Sequence, residues 1–464
     1  MTSPIRVPDV EANLKRSITL PQALGVSFHQ IVGGGVIALM GVAIALTGGG
    51  APLAFAMAAG MVIIYSLPVA VLGSAMPVTG GRYSYAARLI SPSLGFTTMW
   101  FSVLVTIQLS LMALAGADYL HSLVPSVPAR PLALGLITVF FLANLAGAAF
   151  SNRLGIVLAF VMLAAFLLYG FAGLPQVEWG TIGDVAPQGV GNLLTAAALL
   201  TFAVTGSTYV AELGREMKRP GRDIPLSMIG GIVLSAVLYV FLAIPSVGVL
   251  PVPDVAGKPM SVVADHILSP GVFAFFILGG ALASVVGHMN SLLLTATKPV
   301  LAAIGDGWLP ERLGAVNQRY GTPHWLLFGL YLIGAVPVLT GFSVAAIAGM
   351  VSVAATPMLA IMIISSCRLR SRYPDLYAAA PFRMPWRLHV ATVALGTAVL
   401  AVQAYLLVDK LTGPAVVALV SWLLLGIAVW SARRGHAAAV VRARAAGGAG
   451  DAPAEQPSAE RTAG

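Results

Sequence analysis

Ile31-Val32-Gly33-Gly34-Gly35-Val36-Ile37 is the stretch whose reading decides the fold. It lies inside an apolar run over 21–47, long enough to cross a bilayer, since a spanning helix needs roughly 20 such residues. An interior glycine costs about 0.8–1 kcal/mol of helix propensity relative to alanine, so three in a row predict a point of unwinding. Unwound backbone at membrane depth is tolerated only where protein or a water-filled cavity covers it. Its freed amides and carbonyls then become ligands: a half-helix N-terminus suits a carboxylate, a half-helix C-terminus a cation.

Eleven further runs follow, over 51–75, 94–121, 130–150, 153–174, 191–213, 226–249, 271–302, 324–341, 343–367, 388–408 and 413–432. The sixth carries a second interruption, Phe202-Ala203-Val204-Thr205-Gly206-Ser207-Thr208. If spans 1–5 and 6–10 are two structural repeats, the first and sixth correspond, and paired interruptions in matching spans mark a transporter site. The competing reading of Gly33–Gly35 and Gly206 is close helix packing, because small residues line membrane helix interfaces.

Composition fits lipid as the solvent. Of 464 residues, 58% are hydrophobic and 9% charged, against about 25% charged in a soluble domain. The expected architecture is an all-α polytopic membrane protein with about 12 spans. Residues 1–19 form a polar segment without a signal-peptide pattern, 20–432 a single transmembrane domain, and 433–464 a tail rich in Ala, Gly and Pro, expected to be disordered. With both termini inside, all but Arg130, Lys258 and Lys410 of the 26 basic residues fall on the cytoplasmic side, as the positive-inside rule requires. Asp and Glu do not segregate this way. The net charge of +9 is therefore a topology signal for a cytoplasmic (inner) membrane protein, not a nucleic-acid footprint. The lone Cys367 rules out an intramolecular disulfide.

Several motifs, in order, resemble the amino acid–polyamine–organocation (APC) permeases. Ile31 to Ile37 resembles that family's glycine break. Met76-Pro77-Val78-Thr79-Gly80-Gly81-Arg82-Tyr83-Ser84-Tyr85 resembles its first cytoplasmic loop, followed by Gly95-Phe96 and Trp100. Glu216-Met217-Lys218-Arg219-Pro220 with Ile224-Pro225 resembles its acidic-basic-proline loop. Asn290, Gly305-Asp306-Gly307-Trp308-Leu309-Pro310 and Gly321-Thr322-Pro323 are similar to the segment after its eighth helix. The resemblance, from about Leu20 to Trp430, implies a LeuT-type fold: a 5+5 inverted repeat with discontinuous helices 1 and 6, plus two C-terminal helices. It also implies secondary transport by alternating access, with Gly33, Gly34, Gly35, Phe202, Thr205 and Gly206 at the substrate. Two positions depart from the family pattern. Ser207 stands where many members have an aromatic gate. The region of Met162 lacks the fifth-helix lysine of some proton-coupled members.

Polar groups inside the apolar runs are few, and such groups usually have a purpose. His29 and His288 are either proton-coupling groups or neutral histidines bonded within the bundle. Glu212 and Glu216, one helical turn apart, face the same side as Arg82 and Lys298. They form either an inner-gate latch or surface pairs of little energetic value. Gln108 in span 3 and Ser284 in span 8, with Ser207, are candidates for the cavity or for ordinary interhelical hydrogen bonds. Trp100, Trp422 and Trp430 read as anchors at the membrane surface. No metal-ligand cluster, phosphate loop or nucleophile triad is recognisable, so neither a cofactor nor an enzyme is expected.

The expected function is transport of amino acids, a neutral one foremost, because no acidic residue falls near the midplane between Leu20 and Ala211. A polyamine or other organic amine is the alternative, and a non-transporting membrane sensor is the alternative from another class. Proton or sodium coupling and the oligomeric state stay open.

Overall fold

In lipid a chain must satisfy its backbone hydrogen bonds within each segment, and each apolar run folds as helix. The structure is a computed structural model that describes residues 16–145, 148–317, 322–408 and 411–446. Among these residues twelve apolar helical spans follow one another. Span 1 is Leu20–Ile31 and Gly34–Thr47, span 2 Ala51–Ala75, span 3 Pro92–Val105 and Gln108–Leu123, span 4 Ala129–Leu145, and span 5 Ala148–Gly173. Span 6 is Val190–Val204, continued by a 3₁₀ segment over Thr205–Glu212. Span 7 is Pro220–Gly248, and span 8 runs from Pro270 to Gly305 with a π-helical stretch at Phe276–Leu282. Spans 9 to 12 are His324–Thr340, Val344–Arg372, Trp386–Val408 and Gly413–Ala446.

Spans 1, 2, 3 and 4 pack against spans 6, 7, 8 and 9 respectively. Spans five apart along a chain that crosses back and forth run antiparallel, so this pairing is what two inverted repeats require. Span 1 breaks at Val32–Gly33, as the glycines predict. Span 6 does not separate into two pieces; it tightens into 3₁₀ winding at Thr205. Span 3 also breaks, at Thr106–Ile107, where i→i+3 hydrogen bonds replace the α pattern.

One expectation needs correction. Helix was expected to end near 432, yet span 12 continues to Ala446. Its last turns are held by packing: Ala437 is buried in a cluster with Trp308, Val440 is buried beside Gly307, and Arg433 Nη2 donates to the Gly307 carbonyl at 3.1 Å. Residues 447–464, like 1–15, lie outside the described residues. Trp100 and Trp422 are half-buried against each other. Their rings stack at 4.7 Å, and each indole N–H donates to the other residue's carbonyl, at 3.0 and 3.2 Å, tying span 12 to span 3.

The end of the bundle that carries the basic loops is sealed by backbone. The Ser17 and Ile18 amides both donate to the Glu216 carbonyl at 2.9 Å, and Lys218 N–H returns a bond to Ile18. At the opposite end a Cβ on Gly41, Gly49 or Gly50 would run into the carbonyl of Lys258, Thr181 or Val185. The loops there rest directly on the end of span 1.

Candidate functional site

Where the irregular parts of spans 1, 3 and 6 meet, the helices enclose a cavity with about 600 Å³ of empty volume, its mouth included. Gln30 of span 1, Tyr65 of span 2, Gln108 of span 3 and His288 of span 8 line it, together with faces of spans 10 and 11. Span 6 contributes Thr201, Phe202, Thr205, Gly206, Thr208 and Tyr209.

The winding of span 6 decides which of its residues face inward. In 3₁₀ helix, residues three apart share a face. Thr205 and Thr208 therefore align, as do Gly206 and Tyr209, while Ser207 and Val210 turn to the back. Ser207 is fully buried away from the cavity, its hydroxyl without a hydrogen-bond partner. The aromatic group expected from the family pattern and absent at 207 is supplied two residues later by Tyr209.

Gly206 lets two irregular backbones touch: a Cβ there would collide with the carbonyl of Gln30. Gly35 also packs closely on Ala203, whose Cα a Cβ at Gly35 would approach to 2.8 Å. The close-packing reading of these two glycines thus describes their surroundings. Gly33 accommodates the His288 ring, which a Cβ would approach to 2.5 Å. Gly33 and Gly35 do not themselves border the cavity; Gln30, just before the break, does. Gln30 Nε2 donates to Thr295 Oγ1 at 3.1 Å, while its Oε1 is buried without a partner. That leaves a hydrogen-bond acceptor at the cavity wall.

Tyr239, which sequence reasoning missed, holds the breaks together. Its hydroxyl donates to the carbonyl of Ile31 at 2.5 Å and lies 3.3 Å from that of Ala203, so one side chain serves both interrupted spans. Tyr65 does similar work at the cavity wall, hydrogen-bonding Thr205 Oγ1 at 2.5 Å. No glycine or charge pattern points to either tyrosine.

The two histidines are neighbours. A Cβ at Gly287 would meet the His29 ring, as one at Gly33 would meet His288. His288 reaches the main chain of His29 and Gln30 but closes no hydrogen bond of good geometry. Only His288 borders the cavity. Ser284 does not; its hydroxyl bonds back to the Ala281 carbonyl at 2.8 Å.

Arg82 forms the cavity floor. Its Nε lies 3.3 Å from Glu212 Oε1, both side chains are 1% exposed or less, and the same carboxylate oxygen accepts from the Arg82 amide at 3.1 Å. That amide opens the helix Gly81–Leu89, so Glu212 also meets the positive end of a helix. The pair is buried, not a surface contact. Arg82 Nη2 and Glu212 Oε2 have no hydrogen-bond partner. Beside it, burial and then the Glu212 carboxylate push the Tyr85 phenol well above its ordinary range, with Arg88 opposing. Nearer the basic loops, Lys298 Nζ donates to Glu216 Oε1 at 2.7 Å, half-shielded from solvent. The four charged residues singled out in the sequence therefore form two separate ion pairs stacked below the cavity.

Comparisons with known proteins agree with this geometry. The family described as "Amino acid permease" matches residues 18–431. The chain is 24% identical to the branched-chain amino acid permease BcaP of Bacillus subtilis, over 90% of this chain and 93% of that one. It is 25% identical to the methylthioribose transporter of the same organism, over 79% and 83% of the two chains. It is 28% identical to the low-affinity putrescine importer PlaP of Escherichia coli, over 64% and 68%. With the family matched across almost the whole bundle, the chain belongs to the amino acid permease family of the APC superfamily.

Proposed function

We propose that the protein is a secondary active transporter that moves a neutral amino acid across the cytoplasmic membrane by alternating access, with both termini inside. The observation that carries the substrate class is the cavity lining. Among the described residues it contains hydroxyls, carboxamides and one histidine, but no carboxylate. Its one formal charge, Arg82, is matched by Glu212 behind it. A diamine would enter with no counter-ion, and an unpaired buried cation is costly. A zwitterion carries its own. The free Gln30 Oε1 suits its ammonium group.

Alternating access needs a gate that can open. The Arg82–Glu212 and Lys298–Glu216 pairs close the path toward the basic loops in this state, and the excess of Lys and Arg there supports a cytoplasmic assignment for that end.

Uptake into proteoliposomes of purified protein tests the reading, with labelled alanine, leucine, glutamine and putrescine offered separately. Neutral amino acids should accumulate. Accumulation of putrescine alone would replace the substrate class, and binding without flux would favour the sensor alternative.

A further inference from the structure

The cavity has a second lobe that the breaks in spans 1 and 6 do not explain. It runs between span 10, with Val351, Ala355 and Leu359, and span 11, with Leu400, Gln403 and Leu407. Span 11 lies outside the ten helices of the two repeats. Its three lining residues recur at i, i+3 and i+7, one stripe of the helix, while Val402, Tyr405 and Val408 on other faces are exposed toward lipid.

Gln403 is the anomaly in this stripe. It is 5% exposed, and among the described residues its side chain makes one hydrogen bond, from Nε2 to the thioether sulfur of Met61 at 3.8 Å. A thioether is a weak acceptor, and a buried carboxamide without good partners is destabilising. Span 2 gives the depth. Tyr65 bonds Thr205 in the first lobe, and Met61, four residues earlier, meets Gln403. That separation is one turn, roughly 6 Å along the axis, about the reach of an extended glutamine side chain.

We infer that this lobe is the side-chain subsite of the transport site, and that Gln403 recognises an uncharged hydrogen-bonding tip such as a terminal carboxamide on an otherwise apolar stem. The inference rests on the neutral amino acid reading. Val351, Ala355, Leu359, Leu400 and Leu407 would clasp the stem, and the Gln403 amide would exchange its sulfur contact for a paired carboxamide. A polar site left unpaired by an apolar ligand discriminates strongly against it.

The test uses the intact protein in proteoliposomes, with glutamine and norleucine, an unbranched apolar side chain of similar length, competing against labelled alanine. In the wild type, glutamine should inhibit at a concentration about tenfold lower than norleucine does. In Gln403→Leu that ratio should reverse or collapse, and in Gln403→Asn it should fall between. Equal inhibition by the two in the wild type overturns the subsite, whether or not the variants fold. A ratio that stays the same in a transporting Gln403→Leu variant overturns it as well. If no amino acid competes while putrescine does, the neutral amino acid reading falls, and the subsite with it.

Discussion

The Arg82 guanidinium lies 3.4 Å from the centre of the Tyr209 ring, while the Tyr209 hydroxyl accepts a hydrogen bond from Gln108 Nε2 at 2.9 Å. All three line the cavity, and the same guanidinium pairs with Glu212. One chain of contacts thus runs from Gln108 through Tyr209 and Arg82 to Glu212. On the proposed reading, a ligand that draws Gln108 or Tyr209 toward itself alters the support on which Arg82 rests.

Removing one partner of that buried pair leaves the other charge uncompensated, a loss of about 3–5 kcal/mol, whereas apolar replacement of both is often neutral. Arg82→Met and Glu212→Leu should each lower the unfolding temperature in detergent. The double variant should recover most of the stability but not the uptake. Recovery of uptake as well would show that the pair is structural and not a gate.

Glycines of the two interrupted spans should respond oppositely to a methyl group. Gly206→Ala drives a Cβ into the Gln30 carbonyl and should abolish uptake and lower stability. Gly25→Ala meets nothing within 4 Å and lies within the helix Leu20–Ile31. It should be stabilising by up to about 1 kcal/mol. Thermal unfolding and uptake measured on both variants decide it, and similar behaviour would contradict the packing described at Gly206.

Removing the Tyr239 hydroxyl should separate the span 1 break from span 6. Tyr239→Phe leaves the Ile31 carbonyl without this donor, a loss of about 1–3 kcal/mol for a buried group. The expected signature is weaker substrate binding together with faster hydrogen exchange at residues 31–35. Unchanged exchange there would mean that the break is held by other contacts.

How far the sequence could be read depends on what each feature imprints on it. The twelve spans were legible because lipid demands long apolar runs and because Lys and Arg mark alternate loops. The span 1 break was legible because three glycines announce it. The break at Thr106–Ile107 carries no glycine or proline, so nothing marked it. Ser207 was singled out for its place directly after Gly206, and the 3₁₀ winding that turns it to the back carries no mark in the sequence. Arg82 and Glu212 were legible as a pair because charge is scarce, but their burial was not. Tyr65, Tyr239 and Gln403 were missed for a common reason: each is one polar atom in an apolar stretch, and only the tertiary packing shows what it faces.

The neighbouring histidines His29 and His288 are the candidates proposed for proton coupling. His288 borders the cavity and His29 packs behind it on Gly287, so a proton held there would sit beside the substrate and the span 1 break. If the pair couples uptake to protons, His288→Ala should cut uptake driven by an imposed pH gradient by about tenfold or more. Substrate exchange at equal pH needs no net proton movement and should fall much less. A histidine that only fills space would impair both modes alike, because its loss opens a void beside Gly33 in either mode. Parallel loss in the two assays therefore assigns His288 to packing. Selective loss of gradient-driven uptake assigns it to coupling.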